Sequence, residues 1–183
     1  MAATVRSFVA VDLPEAHRGA LAAHLDECAR LAPGYRWVQP EALHLTLRFL
    51  GHLEPSVLER VGRELQRVRC PRFRLALDGR GTFGSRSAPS VIWLGIGEGV
   101  EACRALARAV EAACRAARVE PDERTFRAHV TLARQRTERT RVPQLPDPPS
   151  LAPWTVEDFV LYESRLGGGP ARYMPLAHYP LED

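Results

Sequence analysis

Lysine is missing: every one of the 25 basic residues in this 183-residue chain is an arginine. That absence excludes Schiff-base chemistry, a lysine adenylated as in nucleotidyltransferase-type ligases, and the phosphate-binding lysine of P-loop proteins. Long apolar runs are missing as well. None approaches the ~20 residues that span a bilayer, so no membrane partner is expected. The start, Met1-Ala2-Ala3-Thr4-Val5-Arg6, lacks the apolar stretch of a secretory signal and passes directly into an alternating segment. The cysteines Cys28, Cys70, Cys103 and Cys114 form no C-x-x-C pair, which argues against a zinc site built from them and for a reducing, cytoplasmic setting. Charge of one sign is also scarce. A formal net charge of +3 is too small to mark a broad nucleic-acid surface. Arginine nonetheless offers a flat, bidentate fork suited to phosphate, and a GC-rich genome would produce the same bias without any functional demand.

What is present is a globular chain. With 45% hydrophobic residues it can bury a sizeable core, and its length predicts one domain or two small lobes sharing that core. Apolar spacing predicts helices from Pro14 (Leu21, Leu25, Cys28, Leu31), from Pro55 (Val57, Val61, Leu65, Val68) and over Val100–Cys114. Eight strands are expected: 5–11, 35–38, 43–50, 73–77, 91–96, 127–133, 154–166 and 172–179. Gly51 is expected to end the third strand, the glycine-rich stretch from Asp78 to Pro89 to be a loop, and Arg139–Pro153 to be an exposed connection. Elements in this mixed order belong to the α+β class.

Two of the expected strands carry nearly the same tetrapeptide. His44-Leu45-Thr46-Leu47 and His129-Val130-Thr131-Leu132 lie 85 residues apart, one in each half. Strand alternation puts each histidine beside its threonine on one face and the aliphatic residues on the other. An isolated histidine on a strand is usually a satisfied structural residue. Two matched copies demand that register and partner type coincide twice. Related by an approximate two-fold, they would set two imidazoles and two hydroxyls across one cleft. That arrangement suits in-line displacement at phosphorus: a neutral imidazole takes a proton from water, a protonated one gives a proton to the leaving oxygen, and the threonines donate to the non-bridging oxygens. No carboxylate or third histidine stands at ligand spacing from either motif, so neither metal nor cofactor is expected.

These residues resemble the two-histidine (2H) phosphoesterase superfamily, and within it the bacterial and archaeal RNA 2′,3′-cyclic phosphodiesterases, also called 2′-5′ RNA ligases. Arg6–Ala10 looks like the family's first strand, Trp37–Gly51 and Phe126–Arg134 like its two signatures, and Leu161–Leu166 like its terminal strand, so the match covers nearly the whole chain. The resemblance implies a single domain over 1–183 with two lobes, two antiparallel β-sheets lining a central cleft, helices outside and pseudo-two-fold symmetry. It implies metal-independent hydrolysis of a 2′,3′-cyclic phosphate on RNA ends or nucleotides to a 2′-phosphate, with His44 as proton donor and His129 as acceptor. The motifs are too symmetric for sequence to assign those roles. Reversible 2′-5′ ligation is implied too, although water in excess favours hydrolysis. His52 departs from the family, which often has an acid there; a surface loop position is expected for it.

Around the motifs, the resemblance suggests that Arg134 contacts phosphate or ribose. Arg48, four residues after His44, reaches the cleft if its strand stays regular; otherwise it pairs with an acid nearby. Phe49 falls with the leucines, which favours core over base stacking. Tyr35, Trp37 and Phe83 are candidates for stacking a base at the rim, each with simple packing as the alternative. Ser164 can reach the cleft from the terminal strands. His17, His24 and His178 are expected to be structural or exposed. Because one chain supplies both motifs, a monomer is expected. Competing readings are a 2H enzyme for 2′-5′ oligonucleotides or ADP-ribose cyclic phosphate, and an RNA- or nucleotide-binding module without turnover, for which two proton-transfer groups would be superfluous.

Overall fold

The computed structural model describes residues 3–85, 87–136, 141–165, 167 and 171–183. The chain is α+β. Three α-helices occur among the described residues, α1 (Glu15–Leu31), α2 (Pro55–Leu65) and α3 (Val100–Ala116), with one 3-10 turn at Pro40–Ala42. Strands β1 (Val5–Asp12), β2 (Tyr35–Trp37), β3 (His44–Leu53), β4 (Phe73–Gly84), β5 (Pro89–Glu98), β6 (Val130–Gln135), β7 (Trp154–Val156), β8 (Asp158–Arg165) and β9 (Arg172–Pro180) complete it. No helix is long and apolar enough to cross a membrane.

Strand order is β7-β4-β5-β6-β3-β1-β8-β9, with β2 paired to β6 off the main path. The order is that of two four-strand antiparallel halves whose inner strands, β6 and β3, meet at a single residue pair, Leu45 opposite Val130. The two expected sheets are therefore joined into one curled path at a narrow seam. Leu45 and Val130 are 1% and 0% exposed and share a core with Leu21 and Leu25 of α1, Val61 and Leu65 of α2, and Cys103, Leu106, Val110 and Cys114 of α3. Each such leucine contributes about 2 kcal/mol on burial. The helices thus cover one face of the seam and leave the other for the polar residues that alternate with Leu45 and Val130.

Four boundaries differ from the sequence expectation. β4 runs through the glycine-rich stretch to Gly84, with irregular pairing around Leu77–Arg80 where Gly79 takes φ +70°. Glycine supplies that conformation without strain, which is why the segment stays in the sheet. β3 likewise passes through Gly51, at φ +72°, so His52 is an exposed strand residue rather than a loop residue. The expected strand 154–166 is interrupted at Glu157 into β7 and β8. His129 stands just before β6 rather than within it. Residues 141–153 are irregular, as expected, whereas Leu166 and most of the turn at Gly167–Gly169 lie outside the described residues.

Candidate active site

The two motifs flank the seam. With Leu45 opposite Val130, the antiparallel register continued by one residue each way sets His44 across from Thr131 and Thr46 across from His129. All four lie on the face away from the core and are partly buried. Both imidazoles are anchored alike: His44 Nδ1 lies 2.8 Å from the Ala42 carbonyl and His129 Nδ1 2.6 Å from the Arg127 carbonyl, each two residues back. A carbonyl only accepts, so Nδ1 carries hydrogen in both rings and Nε2 is left for exchange. In His44, Nε2 is 3.0 Å from the Thr46 hydroxyl. Aromatic rings brace both sides. Phe8 and Tyr173 lie 4.8 and 5.2 Å from His44, and Phe83 and Trp93 lie 4.9 and 6.2 Å from His129. Gly81 makes this possible, because a Cβ there would come within 2.2 Å of the Trp93 ring.

Matched β-bulges decide what else faces the cleft. In the β1–β3 ladder Ala10 pairs with Thr46 and Val9 with Arg48, which leaves Leu47 as an extra residue. In the β5–β6 ladder Trp93 pairs with Thr131 and Ile92 with Ala133, which leaves Leu132 extra. Each bulge stands three residues after its histidine and reverses the alternation. The fifth residue after each histidine, Phe49 in one half and Arg134 in the other, therefore returns to the histidine face. The fourth, Arg48 and Ala133, turns to the core face. Phe49 sits 5.8 Å from Phe8, which itself packs on His44.

This corrects the expectation for Phe49 and gives Arg48 the second of its two expected roles, pairing with an acid, at the wall of the cleft. Arg48 is 9% exposed and turns away from the histidines; its Nε lies 2.7 Å from Glu111 of α3, an ion pair not aligned as a hydrogen bond, and its Nη1 3.2 Å from Asp122. Tyr35 and Trp37 are corrected as well. Tyr35 is 1% exposed, its hydroxyl donates to the Pro89 carbonyl, and it packs with Cys28, Ile92 and Ala133. Trp37 packs beside it and donates its indole N–H to the Ala32 carbonyl. Both belong to the face behind the cleft because they alternate with Arg36, which stands opposite Arg134. Phe83 does reach the cleft, at His129. Ser164 is buried and accepts from Arg6 Nη1 at 2.7 Å, so it meets the cleft through that arginine. His17 contacts Trp154, His24 is buried beside Cys28, and His178 pairs with Asp158.

The two imidazoles differ in electrostatics. Burial pushes both below 6.5. For His44 the Ala42 carbonyl and then the Asp12 carboxylate oppose that effect, while Arg134 and His129 reinforce it. For His129 only the Arg127 carbonyl opposes it, and the Arg134 and Arg127 guanidiniums reinforce it. Asp12 lies directly across from His44 in the β1–β3 ladder and accepts a 2.7 Å hydrogen bond from the Tyr162 hydroxyl. Sequence reasoning passed over Asp12, Tyr162 and Tyr173. A period-two reading of β1 puts Phe8, Ala10 and Asp12 on one face, but only the ladder to β3 says that this face meets His44.

A cleft of about 710 Å³ runs from Thr46, Phe49, Phe83, His129 and Arg134 toward α3. His129, Thr46 and Arg134 line that space, and His44 and Thr131 stand opposite each other across the seam. Two imidazoles, two hydroxyls and a guanidinium grouped in this way can bind a phosphoryl group and move protons on either side of it. A family profile described as LigT like Phosphoesterase matches residues 11–93 and 95–171. The chain belongs to this family. The LigT-like sequence is 32% identical over 181 residues to the RNA 2′,3′-cyclic phosphodiesterase of Escherichia coli, covering 96% of both chains. It is equally similar, 32% over 181 residues, to the enzyme of that name from Geobacillus stearothermophilus, of which it spans 56%. The LigT-like fold superposes on the crystal structure of E. coli LigT complexed with 3′-AMP with a TM-score of 0.84 at 28% identity, covering 98% of this chain and 99% of that one.

Proposed function

We propose that this chain hydrolyses ribose 2′,3′-cyclic phosphates at RNA ends or on nucleotides, leaving a 2′-phosphate. The observation that carries the reading is the matched pair of imidazoles flanking one seam, each with Nδ1 held by a backbone carbonyl so that Nε2 is the nitrogen left for proton exchange. The relatives' common name, RNA 2′,3′-cyclic phosphodiesterase, supports the substrate class, as does the 3′-AMP bound by LigT. Residues 1–183 act as one unit of two lobes, and since one chain supplies both histidines the working form is a monomer in the cytoplasm.

His129, with no carboxylate among its influences, is the neutral base whose Nε2 takes a proton from the attacking water. The water oxygen bonds to phosphorus as the bond to O3′ breaks, and His44 Nε2–H gives its proton to O3′. Asp12 is the charge that favours the proton on His44 and so fixes the direction of transfer. Thr46 and Thr131 donate to the non-bridging oxygens, where negative charge gathers, and Arg134 neutralises it. An entering phosphate takes the Thr46 hydroxyl as its donor, so that His44 Nε2–H turns from the Thr46 oxygen to the leaving oxygen. Phe49 and Phe83 form the apolar wall against which a base can stack, a sequence-tolerant mode of recognition. Hydrolysis of adenosine 2′,3′-cyclic phosphate in EDTA tests the reading. Turnover is expected, with losses of about 10²–10⁴-fold in His44→Ala and in His129→Ala; full activity in both variants would sink it.

A further inference from the structure

A cyclic phosphate carries one negative charge, yet Arg134 of the cleft has two further guanidiniums, Arg36 and Arg6, close enough to act on it. Arg36 of β2 stands directly opposite Arg134 of β6, so the two side chains leave the same face as neighbours. Arg6 approaches from β1, steadied by its hydrogen bond to Ser164. Burial lowers the proton affinity of Arg134 first, Tyr173 opposes that, and the Arg36 and Arg6 charges lower it further. Like charges directly opposed in a sheet are destabilising. Arg48, Arg74, Arg115, Arg124 and Arg165 each hold a carboxylate, Arg165 doing so where it stands opposite Arg172. Among the described residues no acid lies within ion-pair distance of Arg6, Arg36 or Arg134. β2 also lies off the main strand path, bonded only to β6, so the sheet ends beside Arg36. On the α3 side of the cleft Arg115 and Arg124 are paired with Glu111 and Asp122, and Arg127 stands over the Phe83 ring.

We propose that Arg36, with Arg6, forms a second phosphate subsite that takes the phosphate on the 5′ oxygen of the terminal nucleoside, so that the cleft selects a nucleotide bearing two phosphates, such as an RNA end, over a nucleoside cyclic phosphate. This rests on the cyclic-phosphodiesterase reading and deepens it. Arg134 stays with the reacting phosphate, and the unpaired charges beside it mark the path by which the chain leaves.

Steady-state kinetics on adenosine 2′,3′-cyclic phosphate, its 5′-phosphorylated form and the dinucleotide ApA 2′,3′-cyclic phosphate test the subsite. The two substrates with a 5′-side phosphate are expected to show at least about tenfold higher kcat/KM, carried by KM and shrinking with added salt. Equal values for the two make any 5′-phosphate sufficient, whereas a further gain for the dinucleotide makes the polynucleotide chain the preferred source. Arg36→Ala should abolish the gain and leave the unphosphorylated nucleoside substrate unchanged, with Arg36→Lys restoring part of it. No preference in the wild type, or an equal loss on all three substrates in Arg36→Ala, overturns the proposal. Calorimetric binding of 3′-AMP against ApA 3′-phosphate is run in parallel. If nothing is turned over, the hydrolase reading fails, while the same preference in binding still decides the subsite.

Discussion

His44 and His129 share an anchor, a tautomer and an aromatic brace, and they differ in one carboxylate. Asp12 raises the proton affinity of His44 against burial, and nothing comparable acts on His129. The proposed mechanism needs His129 neutral and His44 protonated, so it assigns the acidic limb of the rate profile to His129 and the basic limb to His44. Burial lowers both groups, which puts the basic limb below the ordinary histidine value of 6.5. Asp12→Asn removes an influence that raises His44. The basic limb of kcat/KM is therefore expected to move to lower pH while the acidic limb stays, and a loss of activity with both limbs in place would contradict the assignment. The histidines and threonines were legible because the sequence states them twice with the same spacing. Asp12 and Tyr173 were not, since their chemistry comes from strand pairing across distant segments and leaves no local mark.

The bulges act at the scale of the element. Alternation without them sends Arg48 to the cleft and Phe49 to the core; the extra residue Leu47 exchanges the two. The reading of Arg48 as either a cleft residue or an ion-pair partner left this open, because a bulge depends on the partner strand and period-two patterning assumes there is none. Phe49→Ala is thus expected to raise KM roughly tenfold with little change in kcat, consistent with loss of one stacking contact; an unchanged KM with lowered stability would return Phe49 to the core. Arg48 instead ties β3 to α3 and to the segment before the second motif through Glu111 and Asp122. Arg48→Ala leaves the partly buried Glu111 with Arg115 as its remaining partner and should cost about 2 kcal/mol in urea unfolding, with a smaller effect on catalysis. The Arg124 guanidinium, by hydrogen bond, holds the Asp122 carboxyl down to about 2. A carboxyl depressed on folding stabilises above its unfolded pKa of 3.8 and loses that contribution as pH falls toward about 2. Asp122→Asn should flatten the pH dependence of stability across that window, measured by denaturation between pH 4 and pH 2.

For the whole molecule, the α+β class, three helices and the two-half plan were legible, since apolar periodicity and the repeated motif are long-range regularities. The continuity of the sheet was not, because it rests on the single pair Leu45–Val130. Nor was the passage of β4 through three glycines, where a composition that signals a loop instead accommodates a bulge and the Trp93 ring. The missing lysine has a narrower meaning in this light. It excludes a lysine–nucleotide adduct from any ligation by this chain, and it leaves phosphate recognition to arginines such as Arg134, which holds no acid among the described residues. On the proposed mechanism the pseudo-two-fold brings two like histidines to one phosphorus, and the electrostatic difference between them chooses which ester bond breaks. Phosphorus NMR of the products from adenosine 2′,3′-cyclic phosphate reads that choice directly. The predicted result is adenosine 2′-phosphate alone, formed as the bond to O3′ breaks; release of adenosine 3′-phosphate, or an unconsumed substrate, would contradict it.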